Sequence, residues 1–166
     1  TLLRSVGYSI ALSVRQAQVY GTSVRETSAG SNVFASAYGI YFSSGSPQSY
    51  ILFADINGNG TYNSSTDTVV QTFTINRGYT IKNFCAANSS GVLSCKSANM
   101  TSLTMVFKRP NPDACFTTNL NPSVCSPGGT PVYASGYVQL IGPDLTTTRS
   151  VTVGSSGAIS VGVVGS

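Results

Sequence analysis

Histidine is absent from this 166-residue chain, and only 8% of its residues are charged. The first absence removes a histidine general base, a His-ligated metal and a Ser-His-Asp triad. The second lies far below the roughly 25% of an average soluble domain. Ser, Thr, Asn and Gly supply the polar surface instead, which suits an extracellular or surface-exposed protein. The acids number five: Glu26, Asp55, Asp67, Asp113 and Asp144. A glycosidase needs two facing carboxylates, and none of the five sits in a recognisable catalytic motif. No enzymatic activity is expected. Long apolar runs are also missing, so no residues read as a signal peptide or a transmembrane helix, and an exported chain implies that such a segment was processed or truncated.

What is present is the material of one folded domain spanning residues 1–166. Hydrophobic residues make up 41% of the chain, which argues against disorder, and the length suffices for a real core. The net charge of +4 comes from Arg4, Arg15, Arg25, Arg77, Lys82, Lys96, Lys108, Arg109 and Arg149. Only Lys108 and Arg109 are adjacent, so the surplus reads as solvated surface rather than a nucleic-acid footprint.

Residues 1–21 carry the one helical pattern. Leu3, Val6, Ile10, Val14 and Ala17 recur at spacings of three and four and define a packing face, while Arg4, Arg15 and Gln18 fall on another face. The pattern opens at Thr1-Leu2-Leu3 with no capping stretch ahead of it, as the back half of a longer helix would. Residues 34–164 then read as a β-rich body. Strands are predicted over 34–42, 50–54, 68–75, 79–84, 103–108, 137–141, 149–153 and 158–164, joined by turns rich in Gly, Ser, Asn and Pro. Short connections make the sheet antiparallel, and the helix's apolar stripe needs a sheet face to cover. The expected class is therefore α+β, an N-terminal amphipathic helix packed on antiparallel sheet.

Four cysteines stand as two pairs of equal separation, Cys85 with Cys95 and Cys115 with Cys125. Neither pair has the close C-x-x-C spacing of a zinc site. Of the three possible pairings, 85–95 and 115–125 are favoured, each stapling a turn-rich loop and stabilising the fold by about 3 kcal/mol. Disulfides place the protein in an oxidising compartment. Residues 110–131 hold a cluster of prolines and the second pair, and read as a disulfide-held loop insertion.

Four segments, taken in order, resemble one family. They are Ala11–Gly21 (ALSVRQAQVYG), Phe53–Gly60 (FADINGNG), Phe107–Ala114 (FKRPNPDA), and Arg149–Val153 with Gly157–Val161. Together they look like the globular part of a type IV pilin or pseudopilin, nearest the FimT/GspH-like minor pilins, without the hydrophobic N-terminal half-helix. The resemblance implies a pilin-like fold and a structural subunit, major or minor, of an extracellular pilus filament or its tip complex, acting in assembly, adhesion or motility. It further implies other pilin subunits as partners through the N-terminal helix. The chain would lie at the cell surface and be anchored in the inner membrane before assembly, through the missing segment alone. The alternatives are a secretion pseudopilin and a secreted β-rich adhesion or ligand-binding domain. DNA binding in this family is tied to basic residues near the closing hairpin. Here Ala158 follows Gly157 and no cation follows Arg149, so no nucleic-acid partner is expected.

One loop invites a metal reading. Asp55, Asn57, Asn59 and Gly60 fall at positions one, three, five and six of an EF-hand-like calcium loop, with Thr61 at seven and Asn63 at nine. Position twelve is Thr66 where a bidentate Glu is wanted, and Asp67 arrives one residue late. A plain Asn-Gly turn between strands explains the same residues and is preferred. Low-affinity calcium at Asp55, Asn57, Asn59, Thr61, Asn63 and Asp67 is the alternative, and no other cofactor is expected.

Overall fold

The apolar stripe does form a helix, α1 (Leu2–Thr22), but it does not lie on one sheet. The structure, a computed structural model, describes residues 2–23, 35, 37–76, 78–108 and 113–162. Expected features at Glu26, Phe34, 110–112 and 163–164, and the side chain of Leu3, lie outside the described residues.

Ten strands follow α1 among the described residues: β1 (Ala37–Ser43), β2 (Ser49–Asp55), β3 (Thr68–Thr74), β4 (Thr80–Asn88), β5 (Leu93–Cys95), β6 (Ser102–Phe107), β7 (Ala114–Thr118), β8 (Tyr133–Ile141), β9 (Thr148–Gly154) and β10 (Ile159–Gly162). They make two five-stranded antiparallel sheets, ordered β3-β2-β1-β6-β7 and β10-β9-β8-β4-β5. The sheets touch directly where β7 meets β8 and β4 meets β6. Between β1 and β6 of one sheet and β8–β10 of the other lies α1. It is a wedge between two sheets.

This overturns the α+β, pilin-like expectation. The described residues are 45% strand and 15% helix, more β-rich than a pilin α+β fold. Part of the excess is β7, a strand within the 110–131 stretch that read as loop, and part is the three-residue β5. The deeper reason is packing. Inner-face residues from both sheets, Ile40, Leu52, Phe84, Met105, Phe116, Val138 and Val153 among them, share one core with Ile10, Val14 and Ala17 of α1. A sheet face that would have rested on a helix is instead closed by another sheet.

The helix ends where the packing becomes tightest. A Cβ on Gly21 would stand 2.2 Å from the Phe107 carbonyl oxygen, so only glycine allows α1 to pass β6 at that point. Gln18, read from sequence as a polar-face residue, is buried and donates to the Gly157 carbonyl at 3.2 Å. Its side-chain oxygen accepts from Arg15 at 2.8 Å. Ser13 is buried too, sharing a 3.0 Å hydrogen bond with the Tyr50 hydroxyl. These contacts fix the rotation of α1 in its wedge.

Candidate functional site

Of the expected site residues, those of the acidic loop are gathered into one unit. The segment after β2 folds back over the outer face of the first sheet, where the Tyr62 ring meets Tyr41 at 5.0 Å and Phe53 at 5.2 Å. The loop closes on its own amides. Asp55 accepts from Gly58 at 2.9 Å and Gly60 at 2.8 Å, and Asp67 from Ile56 at 3.1 Å and Asn63 at 2.9 Å. Asn57 accepts from Asn59, Asn59 from Thr61, and Asn63 from Ser65, each capping the chain two residues on. Both carboxylates are buried while Asn57 and Asn63 remain exposed.

The electrostatics follow from that burial. Loss of hydration pushes the Asp55 carboxyl above its ordinary value, the Gly60 amide pulls it back, and the Asp67 charge raises it again. For a hard cation the loop offers these two carboxylates and a series of amide oxygens. Among the described residues no three His, Cys, Asp or Glu side chains converge, and Thr66, at the position of the missing bidentate Glu, is exposed. What the side chains visibly do is close a turn.

The loop is also clamped from outside. Cys115 is bonded to Cys125, and Cys85 to Cys95. Gly60 has φ +82°, and a Cβ there would come within 2.5 Å of the Cys125 Cβ. The Thr117 hydroxyl donates to the Gly60 carbonyl at 2.9 Å. A cleft of about 200 Å³ remains between the two segments, lined by Asp55, Lys108, Asp113 and the two cysteines. The acidic loop and the second disulfide, read apart in sequence, are one structural unit.

The packing face of α1 splits as its period requires. Ile10, Val14 and Ala17 are buried and Val6 is half-buried. On the opposite side, Tyr8 (48% exposed), Leu12 (70%) and Val19 (53%) form an outward apolar stripe around Arg15. Sequence reasoning passed over this stripe, although its spacing of four, three and four from Tyr8 through Arg15 to Val19 was in plain view. The described cations are spread over the fold: Arg4 and Arg15 on α1, Lys82 on β4, Lys96 just after β5, Lys108 just after β6, and Arg149 on β9, half-buried and donating to the Thr148 carbonyl; Arg25, Arg77 and Arg109 lie outside the described residues. Asp144 sits in the exposed turn after β8, accepting from the Thr146 and Thr147 amides. No helix among the described residues is long and apolar enough to cross a membrane.

No protein-family model, curated protein or solved structure matches this chain.

Proposed function

We propose that this protein is a structural subunit of an extracellular filament of the type IV pilus kind, or of its tip complex, and that the outer face of α1 packs against neighbouring subunits. The observation that carries the reading is that α1 is apolar on two opposite sides. One side is consumed by the wedge between the sheets; the other presents Tyr8, Leu12 and Val19 to solvent. Exposed apolar side chains clustered on one surface mark an interaction site, and burying a leucine fully contributes about 1.5–3 kcal/mol. The ordered sequence resemblance to minor pilins supplies the kind of assembly. Two disulfides support an oxidising location outside the cytoplasm.

The test is incorporation. Leu12→Glu places a charge at the centre of the stripe without touching the core. The variant is expected to melt like the parent as a soluble domain, and its yield in filaments sheared from the producing cells should fall at least tenfold. Normal incorporation of a folded Leu12→Glu subunit would sink the assignment.

A further inference from the structure

Four exposed aliphatic side chains lie on neither the acidic loop nor α1. Val92 (61% exposed) and Leu93 (51%) stand at the β4–β5 hairpin, and Leu120 (50%) and Val132 (42%) belong to the connection between β7 and β8. β4 sets the hairpin beside the start of β8, where Asn88 pairs with Tyr133, the neighbour of Val132. The Tyr133 hydroxyl accepts from the Asn121 side chain at 2.7 Å and shares a 3.2 Å hydrogen bond with Thr118. Those bonds bring the Leu120 turn to the same place. The hairpin lies at the edge of the second sheet opposite β10, against which α1 packs. This patch and the outward stripe of α1 are therefore separate surfaces.

The two loops are built to lose water. Residues 83–95 and 114–135, which carry all four side chains, contain no Asp, Glu, Lys or Arg. The hairpin tip also satisfies its own backbone, and Asn88 does most of it. The Asn88 side-chain oxygen accepts from the Ser90 and Val92 amides, each at 3.0 Å. Its carbonyl accepts from the Gly91 amide and its own amide donates to the Val92 carbonyl, again at 3.0 Å. In the second loop the Leu120 and Asn121 amides donate to the Thr118 hydroxyl oxygen at 3.2 and 3.1 Å. Polar groups already paired within the chain cost little to move into an apolar layer, whereas free ones or charges cost much. The Cys85–Cys95 disulfide closes the hairpin at its base, so the tip is held in shape before it meets anything.

From this we infer that the Val92–Leu93 hairpin, with Leu120 and Val132 beside it, is a membrane-contacting tip that dips into the surface of a neutral phospholipid bilayer. Three observations favour lipid over a protein partner. The four side chains are all Val or Leu, residues under-represented where binding energy concentrates in protein interfaces, while Trp, Tyr and Arg lead there. The uncharged loops match a zwitterionic surface, whereas an anionic one is held by clustered Lys or Arg. The paired backbone of the tip meets the demand that a bilayer makes of every peptide group. Four aliphatic side chains give a shallow, reversible attachment rather than a span. The inference is independent of the filament reading, which rests on Leu12 and its neighbours.

Flotation of the full chain with extruded phosphatidylcholine vesicles, at about 1 mM lipid, tests the inference. The parent is expected to float with the vesicles, and its binding should not change between about 0.05 and 0.5 M salt. Val92→Ser combined with Leu93→Ser should melt like the parent and bind about tenfold more weakly. Leu12→Glu should bind as the parent does. The chain contains no tryptophan, so Leu93→Trp supplies a single reporter whose emission should shift to the blue when the same vesicles are added. Should the double variant fail to fold, Leu120→Ser on the other loop decides, with a several-fold loss expected. Absence of flotation, absence of the blue shift, or parental binding in a folded double variant or Leu120→Ser chain would each overturn the assignment. Binding confined to phosphatidylserine vesicles and abolished by salt would do the same, since it would report only the net positive charge. So would a dimer in solution that the double variant returns to monomer, because the patch would then be a protein interface.

Discussion

Asp55 and Asp144 have the same local job and opposite chemistry. Each accepts two backbone amides across a turn, Asp55 from Gly58 and Gly60, Asp144 from Thr146 and Thr147. Asp144 is exposed, and its hydrogen bonds, led by the Thr147 hydroxyl, hold the carboxyl well below the usual range. Asp55 is buried beside Asp67, and loss of hydration outweighs the same kind of bond, raising it. The hydrogen-bond pattern thus says how a turn closes, and burial decides what closure costs. One turn is a surface connection. The other is wedged between a sheet face and a disulfide, so defects there propagate.

The largest effect should come from breaking the clamp on the acidic loop. Gly60→Ala needs a positive φ and a Cβ inside the space of Cys125, and is expected to cost about 4 kcal/mol in urea denaturation. A loss under about 1 kcal/mol would mean that the clamp is loose.

Next comes the clamp's covalent half. Replacing Cys115 and Cys125 with serine should cost about 3 kcal/mol. It should also speed hydrogen exchange at the Gly58 and Gly60 amides. The matching replacement of Cys85 and Cys95 opens a loop of equal length, so its global cost should be similar while those two amides keep their protection. Equal acceleration in both variants would dissolve the unit formed by loop and disulfide.

The smallest effect is the most diagnostic, and it concerns the two aspartates directly. A carboxyl raised in the folded state adds stability as pH falls through its folded pKa, and the gain is complete below the ordinary 3.8. The gap in melting temperature between parent and Asp55→Asn should therefore widen from pH 7 to pH 4. Asp144 runs the other way: its contribution is intact above 3.8 and is lost as pH falls toward its depressed folded value. The gap between parent and Asp144→Asn should hold from pH 7 to pH 4 and shrink only in stronger acid. Thermal melts across that range would show the two trends, and parallel curves would remove burial as the distinguishing cause.

Much of this molecule is legible from its residues, for reasons that differ from place to place. Ile10, Val14 and Ala17 announce their burial because a helix repeats every 3.6 residues and a core tolerates nothing else there. Most strands announce themselves through β-branched and aromatic runs. The strand β7 does not, since Ala114–Thr118 is five residues long and sits beside a proline-rich stretch whose composition signals loop. Gln18 is misread for another reason. A polar side chain at the margin of a helix face is buried or exposed according to whether an acceptor awaits it, and the Gly157 carbonyl is 139 residues away in sequence. Likewise the sequence shows Asp55, Asn57 and Asn59 as oxygen donors in series, but not that Cys125 presses against their loop. Local chemistry is written locally, and contacts between distant segments are not.

The wedge position of α1 has a mechanical meaning. A helix lying on a single sheet can be peeled away one turn at a time, each step breaking only a few contacts. Here Ile10, Val14 and Ala17 are gripped from both sides, and Gln18 is tethered to the β9–β10 turn. Tension applied along the helix axis must shear against both sheets together, which distributes the load over the whole close-packed core. The arrangement carries force from α1 into both sheets at once, so a pull on α1 is a pull on the entire domain.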